Sequence, residues 1–96
     1  MALQIINTGV RSATGAASAG GTLPLNASGV KPRFVRIATT AAAHVRIGLG
    51  AQTAVNTDLM ISPGEPTILA TLGADNYAAI QAVAAGVIQI SPVEDI

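Results

Sequence analysis

The chain of 96 residues has no cysteine and no tryptophan, and a single phenylalanine and a single tyrosine are its aromatic residues. Without cysteine, the chain can form no disulfide, no cysteine-ligated zinc site and no thiol nucleophile. Each further aromatic side chain would have buried about 150–250 Å², an area that the abundant alanines and glycines cannot replace. We therefore expect one domain, residues 1–96, with a thin hydrophobic core.

Charged residues are also scarce, at 10% of the chain against about 25% in an average globular domain. A surface with so few charges is largely neutral, and we expect part of it to contact another protein chain. The longest apolar run, AAIQAVAAGVIQI, has 13 residues, whereas a membrane-spanning helix needs about 20. The start, MALQIINTGV, lacks the basic and apolar regions of a secretory signal, so we expect no cleaved signal peptide.

The residue types that carry catalysis are nearly absent. His44 is the only histidine, and its alternation with Arg46 predicts a solvent-facing position rather than one beside a nucleophile and an acid. A metal site would need several histidine or carboxylate ligands at fixed spacing, and Gly48-Leu49-Gly50 lacks the rest of any nucleotide-binding fingerprint. Zero net charge and the lack of stacking aromatics disfavour nucleic-acid binding. We expect a protein that is not an enzyme and holds no cofactor or metal.

The few charges are divided unevenly along the chain. All basic residues precede residue 48 and all acidic residues follow it, so the two parts carry formal charges of +5 and −5. One interpretation is that strands from both parts interleave and the charges mix. The alternative is a basic patch on one side and an acidic patch on the other, which would steer a neighbouring copy or shell into register. The basic residues are Arg11, Lys31, Arg33, Arg36 and Arg46, and the acidic ones are Asp58, Glu65, Asp75, Glu94 and Asp95.

Residues 8–21, TGVRSATGAASAGG, consist of small and polar side chains with one arginine. Such a segment has too little apolar mass to pack a core. We therefore predict a flexible arm or long loop that orders on a partner, and we expect its deletion to leave the fold intact. Residues 22–25 follow as a possible edge strand, because the proline among them cannot donate to a ladder.

The triplet Val-Arg-Ile occurs twice, at 35–37 and at 45–47. In both copies valine and isoleucine share one face of an extended segment and the arginine lies on the other, which predicts two strands. The link between them, rich in alanine and threonine, predicts a hairpin with loop residues 39–41. A register that sets Arg36 opposite His44 keeps the aliphatic side chains on one face and avoids facing arginines, which would repel each other.

Residues 75–86, DNYAAIQAVAAG, allow two interpretations. Apolar residues at helical spacing follow Asp75, which could cap a helix. We favour a strand, because Ala84-Ala85-Gly86 suits a three-residue hairpin loop that would pair Ile80 with Ile90.

The sum of these patterns is an all-β fold. Extended runs at 3–7, 57–61 and 67–71 add to those above and give about eight short strands separated by turns. Short strands at such close spacing are typical of an antiparallel β-sandwich, of which the jelly roll is one form.

Three stretches between Pro32 and Glu94 carry a family resemblance: PRFVRIATTAAAHVRIGLG, TDLMISPGEPTILATLG and YAAIQAVAAGVIQISPVE. They resemble a group of small virion proteins of tailed bacteriophages. Members often show an aromatic-Val-Arg-Ile/Val strand, a hairpin into a second strand ending in Arg-x-Gly, and an Asp-x-Leu/Met turn before a proline-rich bend. They close with a glycine-containing hairpin and a final Val-Glu or Leu-Glu.

The resemblance implies a capsid decoration (cement) protein at the virion surface, assembled in the cytoplasm of a bacterial host, with no catalytic residue. Its partners would be the major capsid protein or other virion subunits, and further copies of itself, with a trimer favoured and neither membrane nor nucleic acid bound. We expect the partner-binding residues to be Arg11, Lys31, Arg33, Arg36 and Arg46. The alternatives are a tail or head–tail connector component, or a small ligand-binding β-barrel, which the lack of aromatics disfavours.

Overall fold

The computed structural model describes residues 3–5, 9–26 and 28–95, with the backbone alone described at residues 3–5 and 94–95. Within these ranges the chain forms nine strands and no helix, which confirms the prediction of an all-β fold. The strands are β1 (Leu3–Ile5), β2 (Val10–Thr14), β3 (Ala19–Thr22), β4 (Phe34–Thr39), β5 (Ala43–Gly48), β6 (Leu59–Ile61), β7 (Thr67–Ala70), β8 (Asn76–Gln81) and β9 (Gly86–Asp95).

The strands form two antiparallel sheets. In sheet I, β9 pairs with β4 along one side and with β1 and β2 along the other, and β7 forms the far edge beside β4. Sheet II has the order β3-β8-β5-β6. From β2 onward, every pair of consecutive strands except β5 and β6 is divided between the two sheets, so most connections cross the sandwich.

The inward faces of the two sheets meet in one hydrophobic cluster. Val35 and Ile37 of β4 are completely buried, and Val45 of β5 is almost so. The predicted antiparallel β-sandwich is thereby confirmed, with aliphatic side chains rather than aromatics filling the space between the sheets. The cluster consists of Leu23, Val35, Ile37, Ala43, Val45, Ile61, Ala74, Tyr77, Ala79, Ile88 and Ile90.

Both Val-Arg-Ile triplets lie in strands with their aliphatic side chains inward, as predicted, but the hairpin between them is wrong. The first strand, β4, pairs with β7 and β9, whereas β5 pairs with β6 and β8. Residues 40–42 carry the chain from sheet I to sheet II. Alternation determines which side of a strand faces inward. That side is the same whether two strands share a sheet or oppose each other across a sandwich.

Residues 76–81 form β8, which confirms the strand and excludes the helix. The predicted hairpin between β8 and β9 is wrong for the same reason as the first. Ile80 registers with His44 in sheet II, while Ile90 registers with Ile37 in sheet I. Each isoleucine therefore lies opposite a residue of another strand, and alternation along the sequence could not predict which strand that is.

The prediction of an arm or long loop over residues 8–21 is wrong for most of that segment, because β2 and β3 lie within it. Thr8 is outside the described residues. Deleting residues 8–21 would remove β2 and most of β3, an outer strand of each sheet, so with this structure we expect the deletion to destabilise the fold.

The small residues of this segment allow close backbone approach. A Cβ atom added at Gly20 would lie 2.1 Å from the carbonyl oxygen of Tyr77, and one at Gly9 would lie 2.2 Å from that of Ile90. Real Cβ atoms do not tolerate such distances, so these glycines are needed for β2 and β3 to dock against their neighbours. The composition reflects packing of backbone on backbone rather than flexibility.

The remaining predicted strands differ from the structure mainly in their bounds. Strand β6 covers the second half of 57–61 and β7 covers most of 67–71. Strand β1 covers residues 3–5 of the predicted 3–7, and residues 6 and 7 lie outside the described part. The edge strand at 22–25 is wrong, because β3 ends at Thr22 and Leu23 turns into the core.

At one end of the sandwich, β3, β5 and β7 stop while β4 and β8 begin. This follows from the register, since Thr22 and Gly48 both lie opposite Asn76, and Phe34 lies opposite Ala70. We call this the loop end; its connections are residues 23–33, 49–58 and 71–75. The connections at the opposite end are residues 15–18, 40–42, 62–66 and 82–85.

Candidate partner-binding surface

Two of the predicted partner-binding arginines share the outer face of sheet I. Arg11 on β2 registers with Gln89 of β9, and Arg36 on β4 registers with Ser91 of the same strand. One strand therefore separates them, and their positions differ by two residues along it. Standard strand spacings put their Cα atoms about 12 Å apart.

The rest of this outer face is uncharged among the described side chains. Phe34 and Ile68 add apolar area, and Ile68 is 45% exposed beside Arg36. Strand alternation from the pairings places on this face Arg11, Ala13, Phe34, Arg36, Ala38, Ile68, Ala70, Val87, Gln89, Ser91 and Val93. Ser91 and Val93 are buried even on this side of the sheet, and the accessible part of the face is largely apolar with two cationic side chains.

Neither arginine of this face is neutralised within the described part of the chain. Arg11 and Arg36 have no hydrogen bond or ion pair there. A guanidinium carries five N–H donors in a planar fork that matches a carboxylate, so both side chains retain full capacity for a partner's acidic groups.

A shallow depression of about 130 Å³ lies next to Arg11. Thr39, Thr40 and Gln89 contribute polar groups to its wall, and Val87 contributes apolar surface. The Thr40 hydroxyl accepts a hydrogen bond from the Val87 N–H at 2.8 Å, which fixes the rim between β9 and the 40–42 connection. An acidic side chain entering here would meet the Arg11 guanidinium.

Arg46 occupies the outer face of sheet II and has a different environment. Its Nη2 lies 3.1 Å from Asp58 Oδ1, and its Nε donates to the same oxygen at 3.2 Å. The second carboxylate oxygen of Asp58 accepts the N–H of Val55 at 2.9 Å. The Asp58 carboxylate thus binds the Arg46 guanidinium and also the backbone N–H of Val55, at the start of the turn that contains Asp58.

His44 lies beside this ion pair. Its Nδ1 is 3.0 Å from the backbone oxygen of Asp58, so Nδ1 must carry a proton, because a carbonyl oxygen only accepts. The histidine thereby fixes the 49–58 connection against β5. This arrangement explains the only histidine as a structural group and leaves Arg46 internally neutralised.

Lys31 and Arg33 lie at the loop end rather than on either outer face. The Lys31 Nζ donates to the Gly73 carbonyl at 3.5 Å. Hydrogen bonds from the Gly50 N–H and the Asn76 side chain lower the pKa of Asp75, and the nearby charge of Lys31 adds to this effect. The structure therefore divides the five predicted residues among three places: the outer face of sheet I, the outer face of sheet II and the loop end.

Both interpretations of the uneven charge distribution apply, each to a different place. Charges from the two parts of the sequence mix where Arg46 meets Asp58 and where Lys31 lies near Asp75. On the outer face of sheet I the basic residues stand without acidic neighbours among the described side chains. Arg11 and Arg36 thus form a cationic pair on that face, apart from the mixed charges elsewhere.

The roles of Asp58 and Asp75 were not visible in the sequence, where they read as scattered surface acids. Asp75 Oδ1 accepts the Gly50 N–H at 2.9 Å and the Asn76 Nδ2 at 2.8 Å, joining two connections of the loop end. The one sequence signal is the position of Asp75 before an apolar segment, which predicts a helix cap, whereas in the structure Asp75 precedes strand β8.

No group of three or more potential metal-ligating side chains occurs among the described residues. A search of the same residues finds no helix long and apolar enough to span a bilayer. Comparison of the chain with models of known families, with curated proteins and with solved structures gives no match. The function is therefore argued from the two outer faces, the loop end and the resemblance carried by the sequence.

Proposed function

We propose that this chain is a non-enzymatic virion structural protein of a tailed bacteriophage, and specifically a capsid cement protein that binds the outer shell. The observation that carries the proposal is the outer face of sheet I, where Arg11 and Arg36 have neither a hydrogen-bond nor an ion-pair partner and no other charged side chain accompanies them among the described residues. Such a surface fits an acidic, partly apolar patch on a neighbouring virion subunit.

The dimensions of the molecule support a docking role for this face. The chain extends over 37 × 28 × 19 Å, and an ellipse on the two longer axes covers about 800 Å². A stable protein–protein interface of standard size buries about 800 Å² on each partner. One outer face of this small sandwich is therefore large enough for a complete interface.

We also propose that the sandwich is a jelly roll, and the connectivity supports this. With β1 set aside, the strand orders are β2-β9-β4-β7 and β3-β8-β5-β6. Strands β2 to β9 thus give two four-stranded sheets in which nearly every connection crosses between sheets, as two interleaved Greek keys require. This architecture occurs in many viral coat modules, which agrees with the resemblance.

The mode of action would be mechanical. The arginines of the outer face of sheet I would form charge-assisted hydrogen bonds with shell carboxylates, and Ile68 with Phe34 would contribute apolar contact. Because each bound copy spans neighbouring subunits, many copies would tie the shell together. Binding to the assembled shell would in turn stabilise this thin-cored domain by mass action.

The test uses purified chain and expanded, empty shells of the phage that carries this gene. We expect saturable co-sedimentation at high copy number per shell. Arg36→Gln should weaken the affinity about ten- to a hundredfold, because a partner carboxylate loses its charged hydrogen bonds.

The matched control is Arg46→Gln, the same change in the other Val-Arg-Ile triplet. It should bind shells as the unmodified chain does, since Arg46 is already paired with Asp58. Equal binding by Arg36→Gln and the unmodified chain would overturn this use of the face. Recovery of the chain with purified tails at a few copies per particle, and not with shells, would favour the tail or connector alternative.

A further inference from the structure

The turn after β7 holds a leucine in an unusual backbone conformation. Leu72 has a φ of 51° and Gly73 a φ of 84°, and the Ala74 N–H donates to the Thr71 carbonyl at 2.9 Å. Positive φ at both central positions favours asparagine followed by glycine, and a leucine at the first position is strained. Among the described residues Leu72 is the only non-glycine with positive φ.

Leu72 is also 94% exposed, so its side chain contributes nothing to the core of the monomer. A residue that is both strained and exposed has no role in folding that the structure can explain. Such outliers point to a function that needs the side chain where it is.

The turn that carries Leu72 is fixed from several sides. The Thr71 hydroxyl donates to the Pro32 carbonyl at 2.7 Å, and the Thr71 N–H donates to the Arg33 carbonyl at 2.9 Å. Asp75 donates its N–H to Gly48 at 3.1 Å. The exposed leucine is therefore presented by a rigid scaffold, and little conformational entropy remains to be lost on binding.

Leu72 stands between two open depressions. One of about 470 Å³ is bounded by Ile47, Leu49 and Ala74 on β5 and the neighbouring connections. The other, of about 300 Å³, is bounded by Pro32 and Phe34. Leu49 is itself 75% exposed at the rim of the larger depression. The loop end thus offers an apolar projection beside an apolar recess that could receive the same projection from another copy.

The charges at the loop end favour a second copy as the occupant. Lys31 and Arg33 lie there together with Asp75, and the backbone of β9 brings Glu94 and Asp95 to the same end. Both signs are present in nearly equal number, so two such ends do not repel each other. The outer face of sheet I, with two arginines, would repel its own copy and must take an acidic partner instead.

We propose that the loop end is a self-association surface in which Leu72 of one copy enters the recess between Leu49 and Leu72 of a second copy. The proposal specifies the surface for the homo-oligomer that the resemblance implies, and it does not depend on shell binding. The contact is reciprocal around a two-fold axis or sequential around a three-fold axis, and the measured mass distinguishes these.

Sedimentation velocity from about 5 to 500 μM tests the proposal on the purified chain alone. The weight-average mass should rise with concentration toward two or three times that of the monomer. Leu72→Asn should lower the association constant at least about tenfold, because burial of a leucine side chain is lost. The same variant should melt no lower than the unmodified chain, because asparagine suits this turn.

The matched control is Val83→Asn at the opposite end of the sandwich, where Val83 is 86% exposed. It should associate as the unmodified chain does. A chain that stays monomeric throughout, or equal association of the Leu72→Asn and Val83→Asn variants, would overturn the proposal without affecting the shell-binding test.

Cross-linking supplies a second measurement, since the chain has no cysteine. A mixture of Leu49→Cys and Leu72→Cys variants should form the mixed disulfide under mild oxidation, and Val83→Cys should not cross-link. Failure of the mixed disulfide to exceed the Val83→Cys level counts against the proposed contact. Leu72-dependent binding of a monomeric chain to phosphatidylserine vesicles would assign the surface to membranes instead and would refute self-association.

Discussion

The two outer faces of the sandwich use the same sequence element in opposite ways. Both carry an arginine between an inward valine and an inward isoleucine, Arg36 on β4 and Arg46 on β5. On sheet II the chain supplies a carboxylate, and the Arg46 guanidinium is held by Asp58 at 3.1 Å. On sheet I no described side chain plays that part, and Arg36 remains available.

The difference shows that the sequence pattern of a strand does not tell whether its charged side chain is paired within the chain or left open to a partner. What decides is whether the long 49–58 connection folds back over the face and brings an acid with it. Sheet II is covered in this way beside β5, and His44 helps to hold the connection there. Among the described residues no connection brings an acid to Arg36 on sheet I, which is why we propose this arginine as a partner contact.

The largest expected effect concerns the inward valine and isoleucine of each triplet, which should stabilise the fold in both sheets. Ile37 is completely buried, and Ile37→Ala should lower the free energy of unfolding by about 2–5 kcal/mol. Arg36→Ala should change it by no more than about 0.5 kcal/mol. Urea denaturation measures both, and a comparable loss in the two variants would mean that Arg36 supports the fold rather than a partner.

The next prediction places an acidic side chain beside an arginine of sheet I, as Asp58 lies beside Arg46 on sheet II. Gln89 lies directly across from Arg11 on the outer face of sheet I, so Gln89→Glu supplies the acid that this face lacks. The new cross-strand pair should raise stability by about 0.2–1 kcal/mol. It should also weaken shell binding severalfold, because Arg11 becomes internally neutralised. Unchanged affinity in the co-sedimentation assay would show that Arg11 does not contact the shell.

A smaller effect measures the ion pair of sheet II. A double-mutant cycle with Arg46→Gln and Asp58→Asn should give a coupling of about 0.2–1 kcal/mol, since the Arg46 side chain is 44% exposed and solvent screens the pair. Chemical denaturation of the four proteins provides the cycle. A coupling of zero would mean that Asp58 matters only through its hydrogen bond to the Val55 N–H.

The smallest effect extends the comparison to the loop end, where Asp75 joins the connections as Asp58 does beside β5. Hydrogen bonds from Gly50 and Asn76 lower the pKa of Asp75 in the folded chain. The stability that this carboxylate contributes is therefore present above its unfolded pKa of about 3.9 and is lost as the pH falls through the lowered folded pKa. Urea midpoints between pH 6 and 2.5 should fall less steeply for Asp75→Asn, and identical slopes would contradict this role.

The strands were predictable where side chains alternate strongly, as in β4, β5 and β8. Partners were not, and both predicted hairpins failed. The short links at 40–42 and 82–85 look like hairpin loops, but in the structure they cross between sheets. Strand β3, AGGT, was not predicted because Gly20 docks by close backbone contact with Tyr77 and offers no alternating side chains. Strand β2, VRSAT, was not predicted because only Val10 among its residues is a large apolar one.

The candidate surface was predictable only as a set of basic residues. Their separation into an open face, a neutralised face and the loop end depends on which strands become neighbours. Leu72 gave no signal in sequence, since its exposure and its positive φ arise from the turn that joins the two sheets.

By itself, the sequence determined the strand periodicity, the inward and outward sides of the Val-Arg-Ile strands and the scarcity of charge, because these follow from local alternation and composition. Tertiary structure decided which strands pair, which arginine finds an acid and which leucine projects into solvent. Those outcomes depend on contacts between residues far apart in the chain, and a two-residue period in the sequence does not specify which distant residues meet.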